Sequence, residues 1–183
     1  MKKIIALFGP AGSGKDTIAK LALEKIKNTY KPIFYTTRPM RENEQDGIDY
    51  HFLSSEEFSE KVLNQEMIEA ATYNGWGYGS SLDSYSDDKV NIIALDSFRL
   101  DSLLQNTKEF EIICLYVKAS DKTRLLRQLK RENEPNIDEI IRRYQADKKD
   151  YNFIPFTYHS LKNEDRDDLK QAIEYIRALV KKI

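Results

Sequence analysis

The segment "GPAGSGKDT" (residues 9–17) places glycines at 9, 12 and 14 ahead of a lysine. It follows the phosphate-loop pattern G-x-x-x-x-G-K-[ST] as far as Lys15, then departs from it, with Asp16 where a hydroxyl residue is usual. The chemistry of such a stretch is anion binding. Glycine permits backbone conformations closed to residues with a Cβ, and the N–H groups can then converge on an anion at a helix N-terminus. Gly9, Pro10, Ala11, Gly12, Ser13, Gly14, Lys15, Asp16 and Thr17 are the expected triphosphate-binding residues, with Lys15 a point charge for the outer phosphates. Asp16 does not remove metal-binding capacity, because Mg²⁺ accepts a carboxylate directly or through water. It adds a negative charge beside a triphosphate, and Thr17 keeps one hydroxyl nearby. Lys15 and the glycines are all retained, so a working loop is expected.

Two further stretches hold groups suited to phosphate and base recognition. In "YTTRPMRENEQDGIDYHFLSSEEF" (35–58), Arg38 and Arg41 stand three apart, and Tyr50 follows an acidic turn and a glycine. Two arginines can bracket one phosphate and a tyrosine hydroxyl can complete the cradle; the same pair also fits a solvated surface. In "EMIEAATYNGWGYGSSLDSY" (66–85), Glu69 lies in an apolar run, and Tyr78 and Ser80 bracket Gly79. Trp76 suits either stacking on a base or packing of the segment. His51, beside Tyr50, and Cys114, in the apolar run "EIICLYV", read as structural.

These groups need a frame, and the chain alternates short apolar runs with helix-patterned stretches. "IIALF" (4–8) is apolar throughout, as a strand buried on both faces is. The stretch 13–28 follows as a helix, with Ile18, Leu21, Ala22 and Ile26 at helical spacing. "IFYTT" (33–37), "VNIIALD" (90–96) and "FEIICLYV" (110–117) are further strands. Helices are expected at 120–132, capped by Ser120, at 136–151 after Pro135, and at 164–183. This alternation predicts a parallel sheet wound with helices. The segment from 36 to 88, rich in glycine and tyrosine, reads as an inserted lobe of short strands and small helices.

Gross composition bounds the function classes. The 183 residues suit one domain. A net charge of −1, from 29 basic and 30 acidic residues, gives nucleic-acid binding no support. One cysteine fits a reducing compartment. No stretch approaches the ~18 apolar residues of a membrane span, and no signal peptide is evident, so a cytoplasmic protein is expected. Oligomeric state stays open.

The order of motifs resembles the guanylate kinase family. That family's pattern runs from a phosphate loop to T-T-R-x-P/M-R-x-x-E-x-x-G-x-D-Y-x-F, then E-W/A…G-x-Y-Y-G-S/T, a strand ending in Asp, and an arginine-rich lid. This chain shows "GPAGSGKDT", "TTRPMRENEQDGIDYHF", "IEAATYNGWGYGSS", "IIALD" and "RQLKRENEPNIDEIIRRY" in that order, across residues 3–165. The resemblance implies an α/β fold, a P-loop NTPase-type parallel sheet flanked by helices. Its core would be 1–35, 89–120 and 152–183, with an acceptor-binding lobe at 36–88 and a helical lid at 121–151. It also implies an ATP-dependent nucleoside monophosphate kinase, with Mg²⁺ and a small phosphorylated acceptor, GMP or dGMP. Arg38, Arg41, Tyr50 and Tyr78 would hold the acceptor phosphate, and Glu69 and Ser80 would contact guanine. Lys15, Arg131 and Arg143 would be the catalytic cations, although Arg131 and Arg143 also fit a solvated helix face. Asp16 and Asp96 would serve the metal, directly or through water; Asp96 also fits a strand-end turn.

The chain departs from the pattern at two places. Phe34 stands where the family carries a guanine-bonding serine, and Phe98 stands at the second Asp of its D-x-D strand end. Losing polar base contacts lowers discrimination steeply, so a shifted or relaxed acceptor is a second expectation. The "GSGKD" loop and "RENEPNID" are similar to those of ribose 1,5-bisphosphate phosphokinase, and "GKDT" to the loop of phage deoxynucleoside monophosphate kinases. Guanylate-kinase-like domains that bind phosphopeptides without catalysis are a third class, but those typically have degraded loops.

Overall fold

The computed structural model describes residues 1–73, 75–106, 108–131 and 134–183. In chain order the elements are β1 (Lys2–Phe8), α1 (Lys15–Lys25), β2 (Thr29–Tyr30), β3 (Phe34–Thr36), β4 (Tyr50–Phe52), α2 (Ser55–Leu63), β5 (Glu69–Tyr73), β6 (Trp76–Ser80), β7 (Val90–Leu95), α3 (Ser97–Asn106), β8 (Phe110–Lys118), α4 (Asp121–Leu129), α5 (Ile137–Asp150), β9 (His159–Lys162) and α6 (Arg166–Lys182). Five strands form one sheet in the order β2-β7-β1-β8-β9, every pairing parallel. Four form a second sheet, β4-β3-β6-β5, in which β5 and β6 make an antiparallel hairpin.

The central strand gives the loop after it a rigid base. Ile5 and Leu7 point to one face and pack with Ile18 and Ala22 of α1 and with Ile173 and Ile176 of α6. Ile4, Ala6 and Phe8 point to the other and pack with Leu100 and Leu103 of α3. These five β1 side chains are fully buried, and burying each Ile, Leu or Phe contributes roughly 1.5–3 kcal/mol. Residue 9 therefore leaves a support fixed on both faces. Cys114 lies in the second cluster, where burial pushes its thiol up to about 11, as an inert structural cysteine requires.

The expected elements at 4–8, 90–96 and 110–117 are present as β1, β7 and β8. The strand at 33–37 is present but belongs to the second sheet, paired with β4 and β6. The main-sheet edge is instead the two-residue β2, pairing Thr29 with Val90, too short to leave a periodic signal. Strand β9 and helix α3 were not anticipated; "HSLK" has a single buried residue, Leu161. The expected cap holds, Ser120 accepting from the Thr123 N–H; the structure adds Asn136 as the cap of α5, accepting from the Glu139 N–H. The first of these helices ends at Leu129, and Glu132, its expected end, lies outside the described residues. No described helix is long and apolar enough to cross a membrane.

Candidate active site

Residues 9–14 turn from the end of β1 into α1. Gly12 and Gly14 take φ values of 78° and 92°, in the left-handed region. At Gly12 a Cβ would also lie 2.5 Å from the Arg124 carbonyl oxygen. Gly14 caps α1 without a side-chain hydrogen bond, so the first N–H groups of the helix have no intrahelical partner. The loop is held from behind. Arg124 Nε donates to the Ala11 carbonyl at 3.0 Å, Arg127 Nη1 to those of Gly12 and Ser13 at 3.3 and 3.2 Å, and Asn163 Nδ2 to that of Ser13 at 2.7 Å. With its carbonyls engaged on one side, the loop can turn N–H groups to the other, as an anion-binding nest requires. Asp147, from α5, accepts the Ala11 N–H at 2.9 Å and pairs with Arg124 at 2.5 Å. Burial raises the Asp147 carboxyl above the usual aspartate range.

Lys15 Nζ lies 3.3 Å from Asp16 Oδ2, and Asp16 is largely exposed. Lys15 lines a cavity of about 490 Å³ with Gly9, Tyr78, Asp96, Arg99 and Arg143. A neighbouring cavity of about 670 Å³, between α1 and the second sheet, is lined by Asp16, Phe34, Glu44, Tyr50 and Arg99 among others. Thr17 lines a third cavity with Arg127 and Asn163. The two expected metal carboxylates thus face different cavities. Asp96 also caps α3, accepting the Arg99 N–H at 2.8 Å.

The expected phosphate cradle is built around a residue to which the sequence assigned no role. Glu44 accepts Arg38 Nη1 and Nη2 at 2.9 and 2.8 Å, and the Arg41 N–H at 2.9 Å. The pair holds the Arg38 guanidinium charged and the Glu44 carboxyl below its ordinary value. Arg38 also sits 5.6 Å from the centroids of the Tyr50 and Phe52 rings. Tyr50 meets Tyr78 edge to face at 6.2 Å, and burial pushes its hydroxyl up, keeping it a neutral donor. The Arg41 side chain is exposed.

Glu69 and Ser80 face each other across the β5–β6 hairpin, Ser80 Oγ donating to Glu69 Oε1 at 3.0 Å. Glu69 is also clasped by Arg99, Nε to Oε2 at 3.1 Å and Nη2 to Oε1 at 2.6 Å. Phe34 lies under that guanidinium, 5.1 Å from ring centroid to Cζ, while Phe98 is 70% exposed beside the Lys15 cavity.

Of the expected catalytic arginines, Arg143 lines the cavity and is paired with Glu139 at 2.6 Å, in a clasp shared with Arg142. Arg131 follows the end of α4; it is exposed and lines none of these cavities. The sequence reading missed Arg99, Arg124, Arg127, Asp147 and Asn163. The i, i+3 spacing of Arg124 and Arg127 was an available sign that they share a helix face; nothing local marks the other three.

The sequence profile described as guanylate kinase matches residues 1–182. The chain is 31% identical over 183 residues to a guanylate kinase of Thermotoga maritima, covering 98% of this chain and 86% of that one. It is 28% identical over 176 residues to a guanylate kinase of Clostridium perfringens, covering 94% and 81%. Among solved structures, a guanylate kinase of Anaplasma phagocytophilum superposes with a TM-score of 0.66 at 24% identity, over 99% of this chain and 85% of that one. A sugar kinase of Janibacter sp. HTCC2649 does so with 0.53 at 16% identity, over 99% and 95%. At these identities the structural likenesses show the fold alone.

Proposed function

The chain belongs to the guanylate kinase family and is an ATP-dependent nucleoside monophosphate kinase; from that premise we propose that it transfers the γ-phosphoryl group of MgATP to the phosphate of GMP or dGMP. The observation that carries this reading is one cavity shared by three parts of the chain. Lys15 comes from the phosphate loop, Tyr78 from the second sheet and Arg143 from α5. A donor triphosphate on the loop and an acceptor phosphate between Arg38, Arg41, Tyr50 and Tyr78 would meet there.

The acceptor phosphate is already a nucleophile, so no strong base is needed. Catalysis then consists of alignment and charge neutralisation. Lys15 binds the outer phosphates, and Arg143 and, on closure of the 121–151 lid, Arg131 neutralise the phosphoryl group in flight. Arg38, held in position by Glu44, sets the line of attack. Closure of the lid over the 36–88 lobe excludes water and limits ATP hydrolysis.

The residues present suit Mg²⁺. That ion keeps several waters and binds through one or two carboxylates plus phosphate oxygens. Among the described residues there is no cluster of three or more His, Cys, Asp or Glu that would form an all-protein cage, whereas Asp16 and Asp96 are exposed carboxylates beside the loop. Asp96 in the Lys15 cavity, or Asp16 in the neighbouring one, would hold the ion directly or through water, and the ion would supply positive charge to the phosphates.

The test is ADP release with ATP and Mg²⁺ across GMP, dGMP, AMP, CMP, UMP, dTMP and ribose 1,5-bisphosphate. Preference for GMP and dGMP supports the reading, and preference for another acceptor overturns the guanine assignment. ATP binding without any turnover overturns catalysis.

A further inference from the structure

We propose that Arg99 reads the acceptor base through the O6 and N7 edge of a 6-oxopurine, with Glu69 serving as its counter-ion and not as a base ligand. The inference rests on the GMP reading above and specifies which atoms of the base are recognised.

The Glu69 carboxylate is 1% exposed and already carries three hydrogen bonds, two from Arg99 and one from Ser80. Ser80 Oγ is itself 3.0 Å from the Tyr85 hydroxyl, closing a buried network. To accept the N1–H and N2–H groups of guanine, Glu69 would have to release a buried bidentate arginine. Breaking such a pair costs more than two hydrogen bonds to a neutral base return.

Arg99 is the group that meets the cleft. It lies in the first turn of α3, fixed by its backbone N–H on Asp96, and it lines both cavities. Its guanidinium rests on Phe34, the residue that replaces the family's polar base contact. Of the five N–H groups of an arginine, two go to Glu69 through Nε and Nη2. The other three, on Nη1 and Nη2, form the outer edge of the fork. That edge matches the two acceptors of guanine, O6 and N7, whereas adenine presents an N6–H₂ donor there. Hypoxanthine has the same O6 and N7 as guanine and lacks only the 2-amino group. A base read by Arg99 would therefore not need N2; a base read by Glu69 would.

The experiment compares kcat/KM of the wild-type enzyme for GMP, IMP, AMP and 7-deaza-GMP. IMP is expected within about threefold of GMP, because the 2-amino group is unread. AMP and 7-deaza-GMP are expected to fall by roughly 5–150-fold, the equivalent of about 1–3 kcal/mol for a bidentate base contact. IMP falling about 100-fold below GMP, with 7-deaza-GMP unimpaired, would overturn the proposal in favour of Glu69, since a site built for a polar group rejects its absence steeply. Equal rates for all four would overturn it too. Arg99→Gln should erase the preference for GMP over AMP; should that variant not fold, the wild-type series decides alone. Calorimetric binding of the same nucleotides keeps the two readings apart. Equal binding of GMP and IMP, with weak AMP and 7-deaza-GMP and no turnover, would retain the Arg99 contact and overturn the kinase reading.

Discussion

The Asp147 carboxylate accepts the backbone N–H of Ala11 at 2.9 Å, joining helix α5 to the phosphate loop across 136 residues of sequence. The same carboxylate neutralises Arg124, which holds the Ala11 carbonyl. One ion pair thus engages both the N–H and the carbonyl of Ala11, and the loop conformation depends on contacts made far along the chain.

Replacing Asp147 tests that dependence. Asp147→Ala leaves the buried Arg124 guanidinium without its closest carboxylate and is expected to cost about 3 kcal/mol. Asp147→Asn keeps an oxygen for the Ala11 N–H and should cost less. Chemical denaturation of the three proteins measures both; equal stability of the alanine variant and wild type would show that the tie is incidental.

Lys15→Ala is expected to lower kcat by roughly 10²–10³-fold, the usual consequence of removing one preorganised donor to developing charge. The Lys15 ammonium is paired with the exposed Asp16 carboxylate, so the melting temperature should hardly change. A variant turning over near the wild-type rate would remove the loop from the mechanism.

Gly12→Ala combines two penalties. The position has φ 78°, and the added Cβ would meet the Arg124 carbonyl oxygen at 2.5 Å. The left-handed conformation alone costs roughly 1–2 kcal/mol for a residue with a side chain. Weaker ATP binding together with a lower Tm is expected, read by nucleotide titration and thermal melts. Unchanged ATP affinity would mean that the loop tolerates movement here.

Acid should loosen the Glu139 clasp on α5. Hydrogen bonds from Arg142 and Arg143 hold the Glu139 carboxyl at about 2, below its ordinary 4.5. A depressed carboxyl stabilises the fold above its unfolded value and loses that contribution as pH falls through the folded one. The stability gap between wild type and Glu139→Gln should therefore be full above about pH 4.5 and close as pH falls towards 2. A gap that stays constant over that range, in matched melts, would show that the clasp is not ionic.

Motifs whose chemistry is local were legible without coordinates. The glycine spacing from 9 to 14 needs only its own backbone to define a nest, and the apolar runs of β1, β7 and β8 need only their burial on both faces of a sheet. The candidates Arg38 and Tyr50 were legible for the same reason, lying within 12 positions of each other, but Glu44, which organises them, was not singled out. The partner of Glu69 was not recoverable this way: it is Arg99, 30 positions away, approaching from another element.

By itself, then, the sequence determined a glycine-rich loop on a parallel sheet and a 36–88 segment of short strands and a small helix, since periodicity, glycine placement and short-range spacing are properties of neighbouring residues. Only the tertiary structure decided that β3 leaves the main sheet, that Arg124, Arg127 and Asn163 hold the loop, that Arg143 and not Arg131 lines the cavity with Lys15, and that Glu69 is occupied by Arg99. Each of these is a pairing between distant segments. The strength of a buried charge or hydrogen bond depends on which partner arrives and how much water is excluded, and local sequence specifies neither.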